Sequence, residues 1–400
     1  MGRSSAVGQG VKRTHRSSSN AGDGVVVGFF HPWTFARDAS GLTVYTRRLS
    51  EALADRTGVY LYAADGDTAD DLTETAVEPV TTRFGRLDLP LSFPSATPVT
   101  VSHHLNRYPY YAKFLAERRH RHVEATVDVI VTNDYLDELF VSNVIDVPTI
   151  RIIHGQPIGL AQDVRETVSR AALTLANSAH TARNIEFELG YEADGIVTPG
   201  VDLDRFRPNI PPAFDEEGTT ILYAGRLVEG KGIAELIDAL ALQSGDCTLH
   251  LVGRGKTETI RERAIARGVE DDIVVHGPVS HDELPGYYAA ADIFCNPSHY
   301  ESFGMVNLEA MACGTPVVTT ALDVTREYIT SGETGVLVPP NDHVALAGAI
   351  DRLATAQSRR QEMGRAARAV AETYTWERSA SRLEGLCLSL LEPTTGVRER

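Results

Sequence analysis

The sequence predicts an α/β protein built from two doubly wound units that face each other across a cleft. Three observations carry this expectation. Short apolar runs of strand length alternate with helical periodicity from Val25 almost to the end of the chain. The runs are apolar on successive residues, as in parallel strands buried on both faces with helices outside. A stretch with Pro208, Pro211, Pro212 and an acidic run divides the alternation in two.

In the first unit the strand candidates are Val25–Phe30, Val59–Ala63, Val99–His103, Val127–Thr132, Thr149–Ile153, Leu173–Asn177 and Gly195–Thr198. Helical stretches fall between several of them, notably Gly41–Asp55 and Tyr110–His122. In the second unit they are Ile221–Ala224, Thr248–Val252, Ile273–His276, Ile293–Asn296, Pro316–Thr319 and Gly335–Val338. The helix after Gly232 shows Ile233, Leu236, Ile237 and Leu240, an i, i+3, i+4, i+7 stripe. Residues 1–23 are polar and Ser/Gly-rich, with Arg3, Lys12, Arg13 and Arg16 but no hydrophobic core of a secretory signal, so a disordered tail is expected. The expected division is a tail at 1–23, a first domain at 24–200, a linker at 201–218, a second domain at 219–375 and a last helix at 376–392. In doubly wound sheets, ligands bind at the carboxyl ends of the strands, so the cleft is where a site belongs.

Composition narrows the function classes. The 400 residues are 42% hydrophobic and 23% charged, ordinary for a globular chain with a core in each of two domains. A net charge of −16 argues against a general nucleic-acid binder, which carries a basic footprint. Four cysteines, Cys247, Cys295, Cys313 and Cys387, stand far apart without CxxC spacing, which fits a reducing compartment rather than a zinc site or disulfide framework. The longest apolar runs fall well short of the ~20 residues of a membrane span. A cytoplasmic protein is expected, with the inner membrane surface as a variant of that expectation.

The chemistry concentrates in two motifs. Glu301-Ser302-Phe303-Gly304-Met305-Val306-Asn307-Leu308-Glu309 places two glutamates around a loop that opens the helix Met305–Cys313. Carboxylates accept hydrogen bonds from sugar hydroxyls, and helix starts attract phosphate, so the motif suits a phosphorylated sugar. Two ordinary helix-surface glutamates are the plain alternative. Gly304 between them lets backbone approach a ligand closely. Gly225-Arg226-Leu227-Val228-Glu229-Gly230-Lys231-Gly232 follows a strand and opens a helix. It nearly matches a P-loop, but Gly232 stands where a Ser or Thr would hold Mg²⁺. Arg226 and Lys231 at a helix start suit a diphosphate better than a metal-held triphosphate.

With these residues in view the chain resembles the retaining GT-B glycosyltransferases of family GT4. The resemblance runs through GRLVEGKG (Gly225–Gly232), NSAHTARNI (Asn177–Ile185), VTPGVDLDRFRP (Val197–Pro208), LVGRG (Leu251–Gly255), ADIFCNPSHYESFGMVNLEAMACGTPVVTT (Ala291–Thr320) and GVLVPPND (Gly335–Asp342). It covers most of residues 25–390, the C-terminal half more specifically.

The resemblance implies two Rossmann-like domains, the first binding an acceptor and the second a nucleotide sugar. It places Arg226 and Lys231 on the donor pyrophosphate, Glu301 at the transferred sugar and Glu309 on the ribose. Backbone amides from Phe303 through Gly304 and Met305 to Val306 are implied to meet sugar and phosphate. Gly41, in Ser40-Gly41-Leu42, is implied to approach the donor phosphate, and His154 to lie near the donor sugar. The glutamate pair is then one half of a donor clamp, not a hydrolase acid/base pair. At Thr198-Pro199-Gly200 many members have an asparagine before the glycine, and this chain does not.

The implied reaction moves a sugar from a UDP- or GDP-linked donor to a hydroxyl acceptor with retention, without metal or other cofactor. No residue stands out as a protein nucleophile, which fits front-face displacement. Asp65-Gly66-Asp67 and Asp202-Leu203-Asp204 could hold Mg²⁺ against phosphates, but cationic side chains offer the alternative. The aromatic and basic segment 108–122 reads either as a membrane-surface or anionic-acceptor contact, or as a helix with an aromatic core stripe and a solvated basic face. His103 and His104 are weaker acceptor candidates. Two further readings remain: a noncatalytic nucleotide-sugar-binding protein and a P-loop NTPase.

Overall fold

The computed structural model describes residues 24–31, 41–64, 77–82, 107–155 and 170–392, without the side chains of residues 79, 81, 82, 107 and 108. The tail 1–23, the strand candidate Val99–His103, the pair His103 and His104, and Asp65-Gly66-Asp67 lie outside the described residues.

Two parallel sheets form. The first contains β1 (Val26–Phe30), β2 (Gly58–Ala64), β3 (Val77–Thr82), β4 (Val129–Thr132), β5 (Thr149–Ile153), β6 (Leu173–Ala176) and β7 (Gly195–Ile196), in the order β3-β2-β1-β4-β5-β6-β7. The second contains β8 (Thr219–Ala224), β9 (Cys247–Val252), β10 (Ile273–Gly277), β11 (Ile293–Asn296), β12 (Val317–Thr320) and β13 (Val336–Val338), in the order β10-β9-β8-β11-β12-β13. In each the strand order reverses beside the first strand, so each opens a crevice at the carboxyl ends of its central strands. The expected α/β class with two doubly wound sheets is what the chain adopts.

Burial explains why these runs became strands. Val129 to Thr132 and Val317 to Thr320 are buried at every position, which only a sheet covered on both faces provides. The edge strand β3 carries Pro79 and the exposed Glu78, so its sequence lacks an apolar run, and a proline is tolerated there because it is an edge.

The expected single helix Tyr110–His122 is in fact two, Arg107–Ala116 and Arg119–Thr126, separated at Arg118, whose φ is 56°. Phe114 and Val123 are both fully buried, yet nine residues apart on one α-helix they would point to opposite faces, roughly 180° apart. The break resets the phase. Tyr110 and Phe114 pack on Phe30, with ring centroids 5.9 and 5.3 Å away, so these two aromatics belong to the core. Lys113 and Arg119 both pair with Glu117. No helix among the described residues is long and apolar enough to cross a membrane.

The chain crosses between the sheets twice, side by side. Val201 N donates to Tyr374 O at 2.9 Å, and Val201 bridges Thr375. The helix Trp376–Leu391 then lies on the first sheet: Trp376, Ala380, Leu383 and Cys387 pack in one cluster with Tyr45, Leu49 and Leu53 of the helix Gly41–Ala54. Between the crossings the segment after Val201 is packed down, with Phe206 buried and the Phe214 ring stacked 3.8 Å from His250.

Candidate functional site

The second sheet supplies a charged cradle. After β8 the backbone turns through Gly225, Gly230 and Gly232 into the helix Ile233–Leu240. Gly232 caps that helix at φ 72°, and a Cβ there would lie 2.0 Å from the Pro297 carbonyl oxygen. No serine or threonine fits, which explains the departure from a P-loop. Lys231 points across to the loop after β11, where its Nζ donates to Glu301 Oε1 at 2.7 Å. Arg226 is exposed and forms no ion pair among the described residues. Beneath them the Tyr223 hydroxyl donates to the Arg226 carbonyl at 2.8 Å. Burial first, then the nearby Glu301 carboxylate, pushes that phenol up.

The Glu301–Glu309 loop rests on a buried polar network. Asn296 Nδ2 donates to Asn307 Oδ1 at 3.1 Å and reaches Glu301 Oε1 at 3.4 Å. Asn307 donates to the Tyr328 hydroxyl at 2.9 Å, which donates to the Phe303 carbonyl at 2.8 Å. Gly304 caps the helix Met305–Cys313 at φ 90°, and a Cβ there would meet Tyr328 Oη at 2.8 Å. The side chains of this network satisfy one another, which stiffens the loop. The Phe303 side chain is core, stacked on Tyr328 at 5.4 Å, and only its backbone borders the loop. Val306 likewise packs inward. The first N–H groups of the helix, at Met305 and Val306, have no carbonyl of their own helix to bond.

Glu309 sits one end away from Glu301 and shares no partner with it. Its Oε1 is 3.0 Å from His281 Nε2, and its Oε2 accepts from Tyr288 Oη at 3.0 Å. Sequence reasoning did not pick out His281, Tyr288 or Tyr328; each joins the loop only through the folded sheet.

The first sheet contributes neutral groups and close approaches. His154 follows β5, and its Nε2 is 3.0 Å from Asn133 Oδ1, whose amide donates to Thr46 Oγ1 at 2.9 Å. The Tyr45 ring stands edge-on to His154 at 4.5 Å. Burial, helped by the nearby His31, drives His154 down to about 3, so it is a neutral hydrogen-bonding group. Among the described residues no hydrogen bond joins it to the Lys231–Glu301 pair. Gly41 opens its helix opposite Met305: a Cβ there would lie 3.4 Å from Met305 Cε. Tyr300, just before Glu301, reaches the backbone beside Gly155.

Further contacts tie the domains together. Asn177 Nδ2 donates to the Ser302 carbonyl at 3.5 Å. The Glu327 carboxylate accepts from the backbone of Ala179 at 3.0 Å and of His180, capping the helix Ala179–Leu189 from across the cleft. Asp202, of the second DxD pattern, accepts from Arg205 N at 3.0 Å and lies 3.6 Å from Arg205 Nε. Among the described residues no group of three or more His, Cys, Asp or Glu could hold a metal ion.

A family model, Glycosyl transferases group 1, matches residues 207–370. Among curated proteins the chain is similar to a D-inositol 3-phosphate glycosyltransferase of Xylanimonas cellulosilytica, 33% identical over 56% of this chain and 59% of that protein. A D-inositol 3-phosphate glycosyltransferase of Thermomonospora curvata is 33% identical over 63% of this chain and 61% of its own length. In both, the chain spans less than two thirds of the relative. Among solved structures, sucrose-phosphate synthase from Thermosynechococcus elongatus superposes with a TM-score of 0.74 at 24% identity, covering 92% of this chain and 99% of that one. Anabaena Alr3699/HepE, solved in complex with UDP and glucose, superposes with a TM-score of 0.73 at 20% identity, covering 91% and 100%. The likeness to these structures is one of fold, and the fold is GT-B.

Proposed function

We propose, from the match of residues 207–370 to the group 1 glycosyl transferases, that the protein transfers a sugar, with retention and without metal, from a nucleoside diphosphate donor to an acceptor hydroxyl. The observation that carries this is the Lys231–Glu301 pair at 2.7 Å beside Arg226 and the start of the helix Met305–Cys313. A diphosphate needs fixed positive charge and free N–H groups, and a sugar needs carboxylate acceptors; both sets converge on one loop.

As the bond to the leaving diphosphate breaks, negative charge grows on its oxygens. Arg226, Lys231 and the helix start stabilise that charge with groups already in place. Glu301 holds the transferred sugar, and Glu309 the ribose. His154, being neutral, offers the sugar a hydrogen bond without titrating. The acceptor attacks on the face the diphosphate leaves, and the leaving phosphate takes its proton. The relatives' name puts D-inositol 3-phosphate first among acceptors to try.

Thermal melting against UDP-, GDP- and ADP-sugars is the first test, since a ligand stabilises the fold in proportion to its affinity. A raised midpoint with one of them is expected, and none with any would overturn the donor reading. Turnover unaffected by EDTA is expected. Binding without hydrolysis or transfer across an acceptor panel would instead mean a noncatalytic binder, and Mg²⁺-dependent ATP hydrolysis an NTPase.

A further inference from the structure

Glu309 is the end of a chain of polar contacts that begins in the segment joining the two domains. Arg205 belongs to that segment. Its Nη1 is 3.0 Å from His281 Nδ1 and 2.9 Å from Asp282 Oδ1, while its Nε lies 3.6 Å from Asp202 Oδ2. The His281 ring stands edge-on to the buried Phe206, 5.1 Å away, and Phe206 stands edge-on to Tyr288 at 6.0 Å. His281 Nε2 and Tyr288 Oη then meet the two oxygens of Glu309, both at 3.0 Å.

The chemistry of the donors fixes the direction of this chain. A guanidinium only donates, so His281 Nδ1 must accept from Arg205. In a neutral imidazole the proton then sits on Nε2 and is given to Glu309 Oε1. Tyr288 gives its proton to Oε2. Each carboxylate oxygen holds one protein hydrogen bond and keeps acceptor capacity to spare. Glu309 and His281 line a cavity with Gly200, Val201, Phe206 and Met305, at the junction of the two domains. A ligand group that reaches Glu309 from the cleft meets its two acceptor oxygens and must bring donors. A vicinal diol brings two in that geometry; its dideoxy form brings none and leaves the buried carboxylate without them.

We propose that Arg205 and His281 are positioning residues that hold Glu309 as a paired acceptor for the vicinal diol of the donor's ribose, and so set the preference for ribonucleotides. This rests on the donor reading above. It adds residues outside the Glu301–Glu309 motif, one of them in the interdomain segment, so that diol recognition depends on how that segment lies.

The test is isothermal titration of the full chain with UDP and GDP and with their 2′,3′-dideoxy counterparts. The variants are His281→Phe, His281→Gln and Arg205→Met. Phenylalanine keeps the ring against Phe206 but loses both nitrogens; glutamine can accept from Arg205 and donate to Glu309. Wild type should prefer one ribonucleotide over its dideoxy form by roughly 100-fold, two hydrogen bonds to a charged acceptor. His281→Phe should weaken the ribonucleotide about ten-fold while leaving the dideoxy form nearly unchanged, and His281→Gln should restore most of the ratio. Arg205→Met, which frees the tautomer without touching the cavity, should lower the ratio by a smaller factor. A merely structural role would lower the melting temperature and weaken both ligands alike, and an unchanged ratio in folded His281→Phe and Arg205→Met overturns the proposal. A wild type that binds both forms equally overturns it too, with the donor reading intact. A wild type that binds no nucleotide overturns both.

Discussion

The carboxyl ends of the two sheets face the same cleft but are built from different chemistry. On the second sheet the charged side chains of the two motifs find partners in their own domain: Lys231 pairs with Glu301, and Glu309 meets His281. On the first sheet the groups around His154 are neutral, and the charged Arg48 lines the cavity beside Glu309. His154 leans on Asn133, and Gly41 and Gly155 present backbone where Met305 and Tyr300 approach. On the proposed reading the second sheet holds the anionic part of the donor, and the first contributes shape while the domains stay together. Changes at Lys231 and Arg226 should therefore strike chemistry, and changes at the contacts between the domains should strike closure.

The comparison breaks most sharply at Lys231. Lys231→Ala removes a cation from the leaving group and strands the mostly buried Glu301 without its partner. Turnover should fall roughly 100- to 1,000-fold, as when one preorganised donor is removed from a developing anion. Arg226→Ala, which leaves no partner stranded, should cost turnover at little expense in stability. Activity surviving the double variant would remove these cations from the mechanism. Comparing kcat with melting temperature separates the two effects.

Gly232→Ser tests the same side through the backbone. It restores the P-loop sequence but puts a Cβ 2.0 Å from the Pro297 carbonyl oxygen at φ 72°. A loss of about 1–3 kcal/mol is expected from strain at a left-handed position, read by urea unfolding. No ATP hydrolysis should appear.

How legible each side was follows from the same contrast. The second sheet's strands are continuous apolar runs, and Arg226, Lys231, Glu301 and Glu309 lie in two compact motifs, so sequence finds them. The groups that hold those residues are remote in sequence and carry no local pattern: Tyr328 just after a short 3₁₀ turn and His281 in a loop. Arg205 lies inside the segment VTPGVDLDRFRP, but nothing along the chain says that it faces His281. In the first sheet the edge strand β3 hides behind Pro79 and Glu78. The break at Arg118 is set by where Phe114 and Val123 must point, a tertiary demand.

Closure should answer to Glu327. Its carboxylate takes two backbone N–H groups at the start of the helix Ala179–Leu189, and His180 Nδ1 lies 3.7 Å from Asp323. Glu327→Gln keeps the size and removes the charge that suits a helix N-terminus, a change of about 0.3–1 kcal/mol. Amide exchange at residues 179–182 should quicken and donor KM rise a few-fold, with kcat at saturation nearly unchanged. Unaltered exchange there would mean the domains are held by their other contacts alone.

A further expected effect concerns protonation on the first sheet. His154 titrates at about 3 in the folded chain, against about 6.5 in an unfolded one. Between those values the unfolded chain binds a proton that the folded chain refuses, so stability falls as pH drops below about 6.5 and is flat above it with respect to this group. His154→Asn deletes that proton, and the loss of stability from pH 7.5 to 5.0 should shrink relative to wild type, measured by urea unfolding at both values. The pH profile of turnover should show no inflection that this substitution removes. If one near neutrality vanished in the variant, His154 would carry charge during the reaction and would not be the neutral hydrogen-bonding group proposed for the sugar.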